Sequence, residues 1–227
     1  MPLSIIIPVL NEILAVEKCL GRLTDLRARG AEVIVVDGGS NDGTEVAAHG
    51  LADRVLTAPE GRASQMNLGA RSALGDVLLF LHVDTELPPA VVAVIESALA
   101  RSERIWGRFD VRIEPSSILL AIVARMMNLR SRLSGIATGD QAIFVRRSAF
   151  FEIGGYPEIL LMEDIALSRT LKRLGWPICL RQKVTTSARR WLEYGVMRTI
   201  LLMWRLRLAY FLWKDPTTLA RQYGYGP

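Results

Sequence analysis

The sequence predicts an α/β fold on a mainly parallel sheet, and three observations carry that expectation. Short apolar runs at residues 3–7, 33–36 and 77–81 are β-branched or leucine-rich and do not alternate, as strands buried on both faces require. Segments of helical periodicity lie between them, punctuated by Gly30, Gly50 and Gly75. Carboxylates, Asp37 and Asp84, stand just beyond the second and third runs, where open parallel sheets hold their ligands.

The first run meets Pro8, which is expected to stop the ladder, and Asn11 is placed to cap a helix over residues 13–29. A ligand-binding role for Pro8, Asn11 and Glu12 stands beside that plainer reading. The second run ends on Asp37, and a turn dense in Gly, Ser, Asn and Asp leads into a helix over 43–49. Asp37 can accept hydrogen bonds from a base or ribose while Ser40 or Asp42 caps the helix, or all of them serve only the turn. Neither a Walker loop nor a GxGxxG fingerprint occurs, which removes support for kinase and dehydrogenase readings.

A helix over 62–74 completes the alternation, which implies right-handed crossovers onto one sheet. Past the third run, His82 and Asp84 alternate toward one side of the strand end. One carboxylate suffices to anchor Mg²⁺ or Mn²⁺ when substrate phosphates supply other ligands, although a lone strand-end Asp also serves as a cap. A helix follows Pro88 and Pro89 to about Arg101, and 105–113 reads as a strand beside the first sheet. Residues 117–133 have helical spacing with Arg125 and Arg132 on one face. A loop at Ser134-Gly135, a strand over 141–145 and a helix over 165–174 follow. Glu163 and Asp164, just before that helix, fit either capping or general-base catalysis, and spacing does not separate the two.

At 227 residues, 50% hydrophobic and 22% charged, the chain is long and apolar enough for one substantial core. The net charge of +5 hides an asymmetry: residues 1–100 carry 7 Lys/Arg against 13 Asp/Glu, and 101–227 carry 21 against 10. A basic half attracts ligand phosphate, nucleic acid or an anionic membrane, and no aromatic platform or recognition motif supports nucleic acid. Cys19 and Cys179 have no zinc or disulfide spacing and read as buried thiols. No charged leader precedes the first run, so a cytoplasmic chain is expected. Residues 195–213 are apolar but contain Arg198, Arg205 and Arg207, each costing about 2.5–3.5 kcal/mol at a bilayer centre. Two readings remain with equal weight: a core helix, or a helix in the membrane interface with Trp204, Phe211 and Trp213 at the boundary.

In this order the segments resemble the family 2 inverting glycosyltransferases over about residues 3–175. Ser4-Ile5-Ile6-Ile7-Pro8-Val9-Leu10-Asn11-Glu12 looks like the family's opening motif, and Val35-Val36-Asp37-Gly38-Gly39-Ser40-Asn41-Asp42-Gly43-Thr44 looks like the second, which holds the nucleoside. Arg62 and Asn67 match a family helix that faces the nucleotide. Asp84 matches the last carboxylate of the DxD metal motif, with His82 at the first position. Thr138-Gly139-Asp140-Gln141, Arg146-Arg147, Gly154-Gly155-Tyr156-Pro157 and Met162-Glu163-Asp164 look like the acceptor half, in which the Asp of the ED pair is the base. In length and detail the chain is similar to a short bacterial group associated with radical-SAM and selenoprotein-type domains. Ala188-Arg189-Arg190-Trp191 is similar to the QxxRW motif of processive members, but Ser187 takes the Gln position and no spanning helix is evident, which argues against a polymer synthase.

The resemblance implies the nucleotide-diphosphosugar transferase (GT-A) fold: a mixed, mainly parallel sheet flanked by helices, with a C-terminal helical segment. It implies a catalytic domain over 1–190, split at about 100 into donor and acceptor halves, and a segment over 191–227 that can lie in the membrane interface. Pro8, Asn11, Glu12, Asp37, Arg62, Asn67 and Val83 would bind the nucleotide sugar, with UDP the expected donor base. Asp84, with or without His82, would hold Mg²⁺ or Mn²⁺, and Asp164 would be the base. Gly139, Asp140, Glu163, Arg189, Arg190 and Trp191 would face the acceptor or diphosphate. The acceptor would be a hydroxyl, lipid-linked if the chain sits peripherally on the inner face of the membrane. A sugar-phosphate nucleotidyltransferase would need a glycine-rich basic loop where Asn11-Glu12-Ile13-Leu14 stands, and a non-catalytic binding protein would not need the Asp37, Asp84 and Asp164 set.

Overall fold

The three apolar runs become adjacent strands, β1 (Leu3–Val9), β2 (Glu32–Asp37) and β4 (Val77–Phe80), with β1 parallel to both others. The structure is a computed structural model and describes residues 1–212 and 218–220, so Trp213 lies outside the described residues. β3 (Arg54–Thr57) adds to the outer side of β2 in parallel. The sheet continues past β4 through β7 (Phe144–Arg146), β6 (Trp106–Glu114), β8 (Ile178–Ser187) and the two-residue β5 (Thr85–Glu86). The eight-strand order is β3-β2-β1-β4-β7-β6-β8-β5. β6 and β8 are parallel, β7 runs antiparallel to both neighbours, and β5 is antiparallel to β8.

Helices cover both faces: α1 (Ile13–Ala28), α2 (Thr44–Ala48), α3 (Arg62–Ser72), α4 (Val91–Ala100), α5 (Ile118–Ser134), α6 (Arg147–Glu152), α7 (Glu163–Leu174), α8 (Arg189–Tyr194) and α9 (Val196–Phe211). The period of two along β1 and β2 explains the layers. Ile5, Ile7, Val33 and Val35 join Val16, Leu20 and Ile95 in one core, while Ile6, Ile34 and Val36 join Met66, Ala70 and Leu171 in the other. Each such side chain contributes about 1.5–3 kcal/mol on burial. Gly69 lets α3 sit close to the sheet, because a Cβ there would lie 2.5 Å from Ile6 Cγ2.

The second half of the sheet is tied to α5 by polar groups. Asn128 brackets the Val111 backbone, its Nδ2 donating to the carbonyl at 3.0 Å and its Oδ1 accepting from the N–H at 2.8 Å. The fully buried Arg108 pairs with Asp110 and donates to Ser131 Oγ at 3.0 Å. Arg132 reaches the same Asp110 at 2.7 Å, whereas Arg125 points outward.

Several expectations are corrected. β1 runs through Pro8 to Val9, because β4 has already left that flank where Leu81 N donates to Ile6 O, and the missing proline N–H costs no ladder bond. His82 and Asp84 sit in a turn after β4 rather than alternating along it. The strand expected over 141–145 is shifted to Phe144–Arg146, because Gly139–Gln141 winds into a 3-10 turn. Asn11 does not cap α1; it adopts φ 52° and accepts from Asn41 N at 2.9 Å. Asp42, Thr44 and Ser40 supply the helix entry instead, accepting from Ile13 N, Glu12 N and Asn11 N at 3.2, 2.8 and 2.8 Å. Cys19 is buried, its thiol pushed up to about 12 chiefly by that burial, while Cys179 is half-buried. β3, α6 and α8 are too short to leave a periodic signature.

Helix α9 divides the two readings of its segment. Leu206 packs in a small core with Ile136, Leu161 and Ile165, yet Met197, Leu201, Trp204, Leu208 and Phe211 are exposed. Among the described residues no helix is long and apolar enough to cross a membrane.

Candidate active site

The chain winds outward from β1 to β2 to β3 and then returns to β4 on the opposite flank of β1. Strand order therefore reverses between β1 and β4, which opens a crevice at their carboxyl ends. A cleft of about 560 Å³ occupies that position, a size suited to a small organic ligand.

Its β1 side is formed by Pro8 and Glu12, and Gly61 and Arg62 join the lining from the start of α3. Arg189, at the start of α8, reaches across the sequence to Glu12 in a two-pronged ion pair of 2.9 and 2.5 Å. That pair raises the Arg189 pKa further, the hydrogen bond to Glu12 being the main cause. Arg190 and Trp191 follow on the same wall, with Arg190 stacked 5.6 Å above the Tyr194 ring.

Three residues expected at the nucleotide are not on the cleft wall. Asn11 is spent on the neighbouring turn, as described. Asp37 is completely buried; its Oδ1 accepts from Gly39 N and Ser40 N at 2.7 Å, and its Oδ2 has no hydrogen-bond partner among the described residues. Asn67 lies away from that wall. Both ends of its amide bracket the Tyr156 backbone at 2.8 and 2.9 Å, tying α3 to the Gly154-Gly155 turn, and it lines a separate small cavity. Gln65, two residues earlier on α3, is a residue that sequence reasoning missed. Its Nε2 donates to Val9 O and Val36 O at 2.8 Å each, clamping the ends of β1 and β2 together at the cleft. Only a third dimension reveals it, since glutamine in a helix carries no local signal.

Across the cleft, Val83, Asp84 and His82 come from the β4–β5 turn and meet Gly139 and Asp140. His82 Nδ1 lies 3.3 Å from Asp140 Oδ1, and a Cβ on Gly139 would fall 2.4 Å from His82 Nε2, so glycine is needed for the ring to pass. Gly139 N donates to Asp164 Oδ2 at 2.9 Å, and Ile165 N donates to Oδ1 at 2.7 Å. The metal-type residues and the expected base are thus joined through one short turn.

Burial raises the Asp84 pKa, and Asp140 adds to that, against the opposing charges of His82, Arg189 and Arg62. Glu163 is pushed up to about 7, first by burial and then by the neighbouring Asp164. The residue before it, Met162, is buried and held at φ 70°, a left-handed conformation rare for a non-glycine residue. Among the described residues no group of three or more His, Cys, Asp and Glu side chains could hold a metal ion. A half-buried carboxylate disfavoured as an anion, opening on a cleft, does suit an ion whose remaining ligands are phosphate oxygens and water. Asp84 fits that mode, while His82 is engaged with Asp140.

A mainly parallel sheet with this reversal, and carboxylates gathered at it, defines an open α/β class that holds its ligand at the switch point. The particular family follows from comparison: the profile for glycosyl transferase family 2 matches residues 4–150, and the chain belongs to that family. PGL/p-HBAD biosynthesis glycosyltransferases of Mycobacterium bovis (strain BCG / Pasteur 1173P2) and Mycobacterium tuberculosis (strain ATCC 25618 / H37Rv) are 32% identical over 170 residues. The match takes in 67% of this chain but only 62% of those relatives' length. Among solved structures, glucosyl-3-phosphoglycerate synthase from M. tuberculosis, in complex with Mn²⁺, UDP and glucosyl-3-phosphoglycerate, is 20% identical with a TM-score of 0.59, over 82% of this chain and 70% of that one. The mannosyltransferase PcManGT from Pyrobaculum calidifontis, with GDP-Man and Mn²⁺, is also 20% identical, with a TM-score of 0.64 over 99% of this chain and 65% of that one. At that identity the likeness establishes the GT-A-type fold.

Proposed function

We propose that this chain is an inverting glycosyltransferase that moves a sugar from a nucleotide-diphosphate donor, UDP by first expectation, to a hydroxyl acceptor. The observation that carries the reading is the Gly139 turn, which joins Asp84, through His82 and Asp140, to Asp164 within one cleft. Binding of UDP and GDP-Man by the fold's relatives supports the donor class.

Asp164, its orientation fixed by two backbone N–H groups, takes the proton from the acceptor hydroxyl. The acceptor oxygen bonds to the anomeric carbon as the bond to the diphosphate breaks, and that bond's electron pair leaves on the diphosphate. Arg62 and Arg189 bring positive charge to the end of the cleft where Asp84 lies. A bound Mg²⁺ or Mn²⁺, held by Asp84 and donor phosphates, would neutralise leaving-group charge.

Asp164→Asn tests the base: transfer should fall by roughly 10²–10⁴-fold while nucleotide binding persists. Wild-type transfer by that variant would remove Asp164 from the chemistry. A thermal-shift panel of UDP-, GDP- and dTDP-sugars, with and without Mn²⁺ or Mg²⁺, tests the donor, since ligand binding raises the melting point by mass action. No response to any donor would count against the reading as a whole.

The outer faces of two helices support an acceptor presented at an anionic membrane surface, with the chain peripheral on its inner face. Ile118, Ile122, Met126, Leu129 and Leu133 form an exposed row on α5, and α9 carries the row already described. Arg125, Arg198 and Arg205 are exposed on the same two helices. Flotation with phosphatidylglycerol vesicles is the measurement; a chain that stays at the bottom of the gradient has no such surface.

A further inference from the structure

The turn at residues 139–141 is gripped from three sides. Behind it, the fully buried Gln141 accepts from Thr138 N through Oε1 at 3.2 Å, and its Nε2 donates to Asn128 Oδ1 at 3.4 Å. On the α7 side, Gly139 N donates to Asp164 Oδ2 at 2.9 Å. The third side is His82, and both nitrogens of its ring are turned to this short segment. Nδ1 lies 3.3 Å from Asp140 Oδ1, and the Nε2–Cε1 edge takes the space of a Gly139 Cβ, which would fall 2.4 and 2.5 Å from those atoms. Only 14% of the His82 side chain is exposed, so the contact is packed as well as polar.

Gly139 thus has the imidazole against its Cα and the carboxylate of Asp164 on its N–H. The other hydrogen bond to Asp164 comes from Ile165, the next residue in the chain. Among the described residues Gly139 N is therefore the hydrogen-bond donor that reaches this carboxylate from outside α7, and without it the group is free to turn about its Cβ–Cγ bond. A histidine that ligates a metal gives one nitrogen to the ion and the other to an acceptor such as a carboxylate. Here Nδ1 faces the carboxylate, and Nε2, the nitrogen left for an ion, abuts Gly139.

We propose that His82 is a positioning residue rather than a metal ligand. It holds the 139–141 turn so that Gly139 N keeps Asp164 aimed at the acceptor hydroxyl, and it ties the turn that carries Asp84 to the base. The proposal rests on the reading of Asp164 as that base.

The hydrogen bond itself is the readout. Thr138-Gly139 is the only Thr-Gly pair in the sequence, so threonine labelled with ¹³C at the carbonyl, together with ¹⁵N-glycine, gives one amide signal that belongs to Gly139. Exchange of that amide with D₂O should be about tenfold faster in His82→Ala, the effect of losing one hydrogen bond. His82→Asn puts an amide nitrogen close to the position of Nδ1 and should restore the protection. His82→Gln reaches toward the Nε2 position instead and should not. Should His82→Ala fail to fold, the Asn and Gln variants carry the same comparison.

UDP is titrated with and without Mn²⁺ in parallel. Its affinity should change by less than about threefold in the His82 variants, whereas Asp84→Asn should lose the Mn²⁺-dependent part. With UDP-glucose as donor and water as acceptor, His82→Ala should lower kcat for UDP release about tenfold at unchanged KM, and His82→Asn should recover most of that loss. Equal Gly139 exchange in wild type and His82→Ala, or protection restored by Gln and not by Asn, overturns the proposal. So does a loss of Mn²⁺-dependent UDP binding in His82→Ala that matches Asp84→Asn, which would make His82 a ligand. Wild-type UDP release by Asp164→Asn removes the base reading separately, and the exchange measurement, which needs no donor, still decides whether His82 holds the turn.

Discussion

The two ends of the cleft are built by opposite means. At the β1–β2 end the polar groups are spent on each other: Thr44, Asp42 and Ser40 cap the entry to α1, Asn11 holds the second turn, and Gln65 clamps both strands. At the α7 end the groups are in conflict: Glu163 is a buried carboxyl beside Asp164, and Met162 is held in a left-handed conformation. One end is a scaffold whose hydrogen bonds stabilise the fold. The other stores unfavourable interactions of the kind that functional sites retain. Substitutions should accordingly cost stability at the first end and function at the second.

Asp164→Asn gives the largest effect, the 10²–10⁴-fold loss of transfer stated above, with a stability loss of only about 0.5–1.5 kcal/mol in urea unfolding, because the amide oxygen keeps one of the two bonds from Gly139 N and Ile165 N. A large drop in stability would break the contrast. Asn67→Ala should do the reverse. It leaves the buried N–H and carbonyl of Tyr156 unpaired, at about 1–3 kcal/mol each, and the folded variant should bind UDP with wild-type affinity. Normal stability with lost nucleotide affinity would return Asn67 to the donor site.

Thr44→Val sharpens the same end, since the buried Thr44 Oγ1 accepts from Glu12 N. A cost of about 1–3 kcal/mol in urea unfolding is expected. The smallest effect is a pH dependence at the other end. Glu163 holds a proton in the folded chain up to about 7, while the unfolded chain releases it in the ordinary carboxylate range. The native state therefore binds more protons across that window, and Glu163 makes stability fall as pH rises through it. Glu163→Gln should flatten that fall and be the more stable protein at pH 8, measured as melting temperature between pH 5 and pH 8. An unchanged slope would show that Glu163 is ionised throughout.

Legibility in the sequence followed locality. The N-cap Ser117, whose Oγ accepts from Leu120 N at 3.2 Å, and the Gly135 stop of α5 are set by neighbours in the chain. Pro8 misled because its tolerance depends on where β4 leaves β1, a fact about another strand. The pairing of Asn67 with the Tyr156 backbone was not legible, because its partner lies 89 positions away.

By itself the sequence determined the alternating strands and helices, the acidic positions at their ends, and the family to which they belong, because these depend on periodicity and on short motifs. Tertiary structure alone decided which side chains share the cleft. It paired Asn67 with the Tyr156 backbone and Asn11 with the backbone of Asn41, and brought Arg189 to Glu12 across 177 positions. The physical reason is that hydrogen bonds and charges act through space, at distances that the fold sets and that separation along the chain does not reveal.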